Sequence, residues 1–151
     1  MTYDRVLLTI AKEDRDDLDT LVDATIALAG PLSATVCLLY AFSRADYEAV
    51  IEQMAIDTTT SGLTPTEVAQ RHESVREPAD RLKSLGIDYD IRGVSGRNLA
   101  DQIVGTIEQG DADVAVVGGT KRSPAGKAMF GDHAQQILLN APVPVLYVKR
   151  E

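Results

Sequence analysis

A glycine- and lysine-containing segment near the C-terminus, VVGGTKRSPAGKAMFGDH, has the residue types and spacing best suited to ligand chemistry. Gly118 and Gly119 have no side chains, so a ligand can approach their backbone closely. Positive charge follows in an otherwise acidic chain, at Lys121, Arg122 and Lys127. Gly131 stands at the predicted start of a helix, whose free N–H groups can hold an anion. These features predict a phosphate-binding loop, and a solvated surface loop is the alternative.

The glycine spacing excludes two common phosphate-binding loops. A Walker A loop needs a glycine five residues before the glycine of Gly-Lys, and a Ser or Thr after the lysine. Here Gly126-Lys127 is followed by Ala128, and Lys121 occupies the earlier glycine position. The dinucleotide fingerprint needs three spaced glycines after the first strand, but TIAKEDRDD contains none. The chain is therefore neither a P-loop NTPase nor a classical dehydrogenase.

The other chemically active side chains favour structural roles. His133 follows Asp132 at a helix start and can line a pocket there, whereas His72 is expected to be an exposed helical residue. Neither histidine has a second ligand at metal spacing, so no metal site is predicted. Ser123 has no identifiable base and is expected to begin a turn with Pro124. A cluster before the first helix lacks the features of a calcium loop and predicts a solvated helix start; its members are Asp14, Asp16, Asp17 and Asp19.

Short apolar runs alternate with helical periodicity along the chain. The runs VLLTIA, ATVCLLYAF, DVAVVGG and VPVLYVK predict buried strands, and IDYDIRGV predicts an edge strand. Between them the pattern predicts five helices. The first ends at Gly30, the second covers 44–56, the third begins at Pro65 and bends at Pro78, the fourth runs from Asn98 to Gln109, and the last from Gly131 to Asn140.

This alternation indicates a single α/β domain over residues 1–151, with a parallel sheet covered by helices on both faces. Ligands bind such sheets beyond the carboxyl ends of the strands, where the strand order reverses. The loops after Ala11, Phe42 and Gly118 are therefore the predicted positions of a ligand.

The composition limits the partners and the compartment. A net charge of −8 and a pI near 4.7 oppose a nucleic-acid partner, because a phosphate backbone requires a basic face. No apolar run approaches the roughly 20 residues of a membrane span, and MTYDRVLLTI lacks the pattern of a signal peptide. A cytoplasmic protein is expected, with the lone Cys37 in its core. The excess of Asp over Glu leaves a halophilic and a mesophilic origin both open.

Over nearly its full length the chain resembles the universal stress proteins. The resemblance rests on the first strand, the long middle helices and the Pro-Val-rich ending APVPVLYVKR. It implies a five-stranded parallel sheet of order 3-2-1-4-5, a Rossmann-like fold similar to that of the adenine nucleotide alpha hydrolases. It also implies a homodimer paired through the last strand. Pro142 and Pro144 suit an edge strand, and an unpaired apolar edge invites association.

The nucleotide binders of that family carry a loop of the form Gly, two residues, Gly, nine residues, Gly, then Ser or Thr. On this sequence the first and last glycines are Gly118 and Gly131. The middle glycine is replaced by Lys121, and the Ser or Thr by Asp132. A carboxylate at a helix N-terminus takes the N–H bonds that a phosphate would use and repels the phosphate, whereas the lysine adds positive charge.

Two more family positions lie on the first two strands. The aspartate used near the ribose falls on Ala11, and the adenine-side residue falls on Ala41, which is compatible because that contact is largely made by the backbone. The implied ligand contacts are Thr9, Ala11, Ala41, Gly118, Gly119, Lys121, Arg122, Gly131, Asp132 and His133.

Two functional hypotheses follow. In the first, the chain is a regulatory dimer that binds ATP or AMP at the mouth formed by these residues. In the second, it is an interaction protein that keeps the dimer scaffold and has altered or lost the pocket. An enzyme is not predicted, because no acid, base and nucleophile can be combined from the sequence.

Overall fold

Five parallel strands form one sheet in the order β3-β2-β1-β4-β5 in a computed structural model that describes residues 3–55, 63–119 and 134–149. The strands are β1 (Arg5–Ile10), β2 (Thr35–Ser43), β3 (Tyr89–Gly96), β4 (Val114–Gly119) and β5 (Val145–Lys149). The predicted fold class and strand order are confirmed, and β3 lies at an edge as its polar alternation indicated.

Helices connect the strands. They are α1 (Leu18–Leu32), α2 (Arg44–Ala55), α3 (Pro65–Arg71), α4 (Glu73–Ser84), α5 (Leu99–Thr106) and α6 (Ala134–Asn140). A 3-10 helix, Lys12–Asp17, precedes α1, and a π-helical turn, Ile107–Asp111, follows α5. Helix α1 continues past the predicted stop at Gly30 to Leu32, and its C-cap, Ser33, takes the left-handed conformation with φ 52°. The predicted cap at Asn98 is confirmed, because its side chain accepts a hydrogen bond from the Asp101 amide.

The predicted long middle helix is two helices, and the break falls at His72 rather than at Pro78. His72 has extended backbone angles, φ −78° and ψ 134°, and caps α4 by accepting a hydrogen bond from the Ser74 amide at 3.1 Å. Its ring lies 4.4 Å from that of Tyr40, centroid to centroid. The prediction that His72 is an exposed helical residue was therefore wrong: it is a half-buried junction residue.

Both faces of the sheet are buried, which explains why the central strands are continuously apolar. One face packs against α1 and α4 through Val6, Leu8, Ile10, Val36, Leu38, Tyr40 and Phe42. The opposite face packs against α5 and α6 through Leu7, Cys37, Leu39, Ala41, Ala115 and Val117. Cys37 is fully buried, as predicted, and burial raises the pKa of its thiol to about 12.

Helix α3 lies unusually close to β3. The Gly93 amide donates a hydrogen bond to the Thr66 hydroxyl at 3.2 Å. A Cβ atom at Gly93 would collide with the Pro65 carbonyl group and would lie 3.0 Å from the Ala69 side chain. Glycine is therefore needed here for backbone contact between the helix and the strand.

Candidate functional site

The carboxyl ends of β1 and β4 lie side by side at the middle of the sheet. Val6 pairs with Val114 and Leu8 with Val116, and the Thr9 hydroxyl donates a hydrogen bond to the Val116 carbonyl at 3.3 Å. The strand order reverses between β1 and β4, and such a reversal leaves a crevice beyond the strand ends. We call this crevice, between Thr9–Ala11 and Gly118–Gly119, the β1/β4 mouth.

Asp14 is the polar side chain at this mouth that the sequence did not reveal. It is only 5% exposed, although the surrounding residues KEDRDD suggested a solvated helix start. Its carboxylate oxygen Oδ2 accepts a hydrogen bond from the Ala11 amide at 2.9 Å, so the carboxylate caps the turn that leaves β1. The prediction of a solvated position was wrong for Asp14, because the 3-10 turn points it back at the strand end.

The same carboxylate covers Gly118. A Cβ atom at Gly118 would lie 2.7 Å from Asp14 Oδ1 and 3.2 Å from a methyl carbon of Leu21. Because Gly118 has no side chain, Asp14 and Leu21 occupy the space beside its backbone. The Asp14 carboxylate therefore lies beside the mouth, where a carboxylate oxygen can accept hydrogen bonds.

Gly119 closes the other side of the mouth. It is buried and pairs with Lys149 of β5, and the space that a side chain would need is filled by the Tyr147 ring. Tyr147 packs with the core on the α5 and α6 side of the sheet. The Gly118–Gly119 pair thus brings the end of β4 close to Asp14 on one face and to Tyr147 on the other.

Ala41 stands on β2 next to this arrangement. Tyr40 is the register partner of Ile10, so Ala41 lies one step further, beside Ala11. Both alanines are buried, at 1% and 3% exposure. The structure therefore brings together the predicted contacts on β1, β2 and β4. The remaining predicted contacts, Lys121, Arg122, Gly131, Asp132 and His133, lie outside the described residues.

Residues 3–55, 63–119 and 134–149 contain neither a metal-ligand cluster nor a membrane-spanning helix. No group of three or more His, Cys, Asp or Glu side chains in these ranges could hold a metal ion. No helix of the described part is long and apolar enough to cross a bilayer.

A sequence model of the universal stress protein family matches residues 2–149. The chain belongs to this family. A universal stress protein of Mycolicibacterium smegmatis is 33% identical over 79 residues, which cover 52% of this chain and 61% of that protein. The matched segment thus spans less than two thirds of that relative.

Solved structures of family members share the fold of this chain. A universal stress protein in complex with cAMP superposes with a TM-score of 0.66 at 22% identity and covers all of both chains. A family protein from Arabidopsis thaliana with AMP bound has a TM-score of 0.62 at 14% identity, covering 97% of this chain and 92% of its own. At these identities the likeness shows the universal stress protein fold.

Proposed function

We propose that this universal stress protein binds an adenine nucleotide, ATP or AMP, at the β1/β4 mouth and acts as a regulatory module without a catalytic reaction of its own. The observation that carries the proposal is the meeting of Thr9–Ala11 with Gly118–Gly119 at the strand-order reversal. Two family members with the same fold, one solved with cAMP and one with AMP, support this proposal.

The charged residues near the mouth determine the orientation that we expect for the nucleotide. Asp14 sits beside β1 and repels phosphate, but a carboxylate is a good acceptor for ribose hydroxyls. The positively charged residues of the sequence that follow β4, Lys121 and Arg122, suit the phosphates. We therefore assign the ribose and base to the β1 and β2 side, near Ala11 and Ala41, and the phosphates to the segment after Gly119.

Calorimetric titration of nucleotide-free protein with AMP and ATP tests the proposal. We expect saturable binding of about one nucleotide per chain. Asp132→Ser should tighten ATP binding severalfold, because it removes a carboxylate that opposes the phosphates. Asp80→Ser, at an exposed position of α4, removes the same charge elsewhere and is the matched control. No heat and no thermal stabilisation at millimolar nucleotide would refute nucleotide binding.

A second function is favoured by one observation at the same place. The Ala11 amide and the space over Gly118 are both already occupied by Asp14. If this arrangement replaces the ligand instead of receiving it, the chain is an interaction protein that keeps the family scaffold. Asp14→Asn distinguishes the two hypotheses. If the chain binds nucleotides, the substitution should change its affinity for AMP. If the chain is an interaction protein without a functional pocket, the substitution should leave the binding of its partner unchanged.

The regulatory unit that we propose is a homodimer paired through β5. This strand is an edge of the sheet, and its Leu146 is 40% exposed. Leu139, at the end of α6, is 75% exposed and lies shortly before β5 in sequence. Leu146→Lys should convert the dimer to a monomer in light scattering, whereas Leu85→Lys, a 55% exposed site after α4, should not. A dimer that tolerates Leu146→Lys would contradict the β5 interface.

A further inference from the structure

A separate cavity of about 550 Å³ lies between the start of α1, helix α2 and the α3–α4 junction. Its volume is in the range of small-molecule sites. Its apolar wall includes Leu18, Val50 and Val68, and Leu18 and Val68 belong to the core on the α1 and α4 side of the sheet. Ala41, predicted to contact a nucleotide, belongs to the core on the opposite face. None of the described residues that line this cavity is among the predicted nucleotide contacts at the β1/β4 mouth.

Among the described residues that line the cavity, positive and negative side chains are equal in number. They are Arg15 and Arg71, and Glu73 and Glu77. Among the described residues, none of these four forms an ion pair with another residue. The cavity therefore offers two guanidinium groups and two carboxylates beside an apolar wall, and each charge is available to an incoming group.

The junction between α3 and α4 gives this cavity a fixed wall. The His72 ring is held by its contact with the Tyr40 ring and by the hydrogen bond that its Nδ1 accepts from the Ser74 amide. Burial, and then the positive charge of Arg15, lower the pKa of His72 below its ordinary 6.5, which favours the neutral ring. The charges of the described lining residues, two arginines and two glutamates, thus balance one another.

We propose that this cavity binds a small zwitterion with an apolar body, of the class of free aliphatic α-amino acids. The carboxylate of such a ligand pairs with the arginines, its ammonium group with the glutamates, and its side chain packs on the apolar wall. The four charged residues are exposed, so the discrimination comes from attraction and repulsion near the surface: a simple anion is attracted by the arginines and repelled by the glutamates, and a simple cation the reverse. A ligand that carries both charges satisfies both pairs.

Titration of the ¹⁵N-labelled chain with leucine, followed by backbone amide chemical shifts, tests the proposal. Two probes have nearly the shape of leucine and one charge each: 4-methylpentanoate lacks the amine and 3-methylbutylamine lacks the carboxylate. We expect saturable shifts around Arg15 and Ser74 with leucine, and affinities lower by about tenfold or more for both probes, since each loses a charge-assisted contact. Either probe binding as well as leucine would overturn the zwitterion assignment, and an absence of saturable shifts would overturn the site.

Substitutions of lining residues test where leucine binds. Arg71→Gln and Glu77→Gln should each weaken leucine binding by about tenfold. Arg76→Gln, at an exposed position of α4 that does not line the cavity, is the matched control and should leave it unchanged. Saturating AMP should not displace leucine. Displacement of leucine by AMP would contradict a separate site. If AMP does not bind at all, only the proposed nucleotide site at the β1/β4 mouth is contradicted.

Discussion

Replacing Gly118 with alanine tests how closely β4 approaches the turn after β1. The new methyl carbon would lie 2.7 Å from Asp14 Oδ1 and 3.2 and 3.3 Å from the two methyl carbons of Leu21. Asp14 is anchored to the Ala11 amide, and Leu21 is fully buried, so neither has free space into which it can withdraw. Overpacking of this kind costs about 1–3 kcal/mol. We expect a loss of about 2 kcal/mol, which corresponds to a fall in melting temperature of about 4–8 °C for a chain of this size.

Urea unfolding followed by circular dichroism measures this loss. Gly105→Ala is the matched control, because Gly105 lies inside α5 and a Cβ atom there meets nothing within 4 Å. That substitution should be neutral or stabilising by up to about 1 kcal/mol, since alanine is the better helix former.

A double-mutant cycle with Asp14→Ala then isolates the cause. Removing the carboxylate leaves only the milder contact with Leu21, so Gly118→Ala should cost about 1 kcal/mol less in the Asp14→Ala background. An equal cost in both backgrounds would refute the contact between Asp14 and Gly118. A Gly118→Ala variant as stable as Gly105→Ala would refute the close approach altogether.

Three other perturbations have expected outcomes. Gly93→Ala should destabilise by about 2–3 kcal/mol in urea, because its methyl group collides with the Pro65 carbonyl; unchanged stability would contradict the α3–β3 contact. Because the pKa of His72 is lowered from its ordinary 6.5, the unfolded state binds the proton more readily, and stability should fall as the pH decreases below about 6.5. His72→Asn keeps a capping acceptor for Ser74 without titrating, so its stability should fall less between pH 7.5 and 5.5; parallel profiles would argue against this. Iodoacetamide should modify Cys37 only on unfolding, since its pKa is about 12, and rapid native-state modification would contradict its burial.

The strands and most of the helix starts could be predicted from the sequence because their signals are local. A continuously apolar run such as ATVCLLYAF indicates a strand covered on both faces, and β2 is buried on both. Thr64 and Asn98 cap helices by accepting hydrogen bonds from amides three residues later in the sequence. The residues around each helix start are therefore enough to predict the cap.

The break at His72 and the burial of Asp14 could not be predicted in this way. His72 ends one helix and caps the next while its ring rests on Tyr40, a residue 32 positions earlier in the sequence. Asp14 stands among charged neighbours that suggest solvent, and its burial depends on Gly118, which lies on another strand. The confirmed strand order therefore allowed the sequence to predict which strand ends lie side by side, but it did not predict the carboxylate between them.

The position of β1 in the sheet has a consequence for the growing chain. In the finished protein β1 lies between β2 and β4, and Asp113, just before β4, accepts hydrogen bonds from the Asp4 and Arg5 amides at 2.9 and 3.0 Å. During synthesis β1, β2 and β3 emerge first, so β1 is temporarily an open edge with unpaired backbone groups. That edge stays available to chaperones, or to another nascent chain, until β4 has left the ribosome. Slow translation of residues 97–113 would lengthen this exposure and therefore favour aggregation over folding.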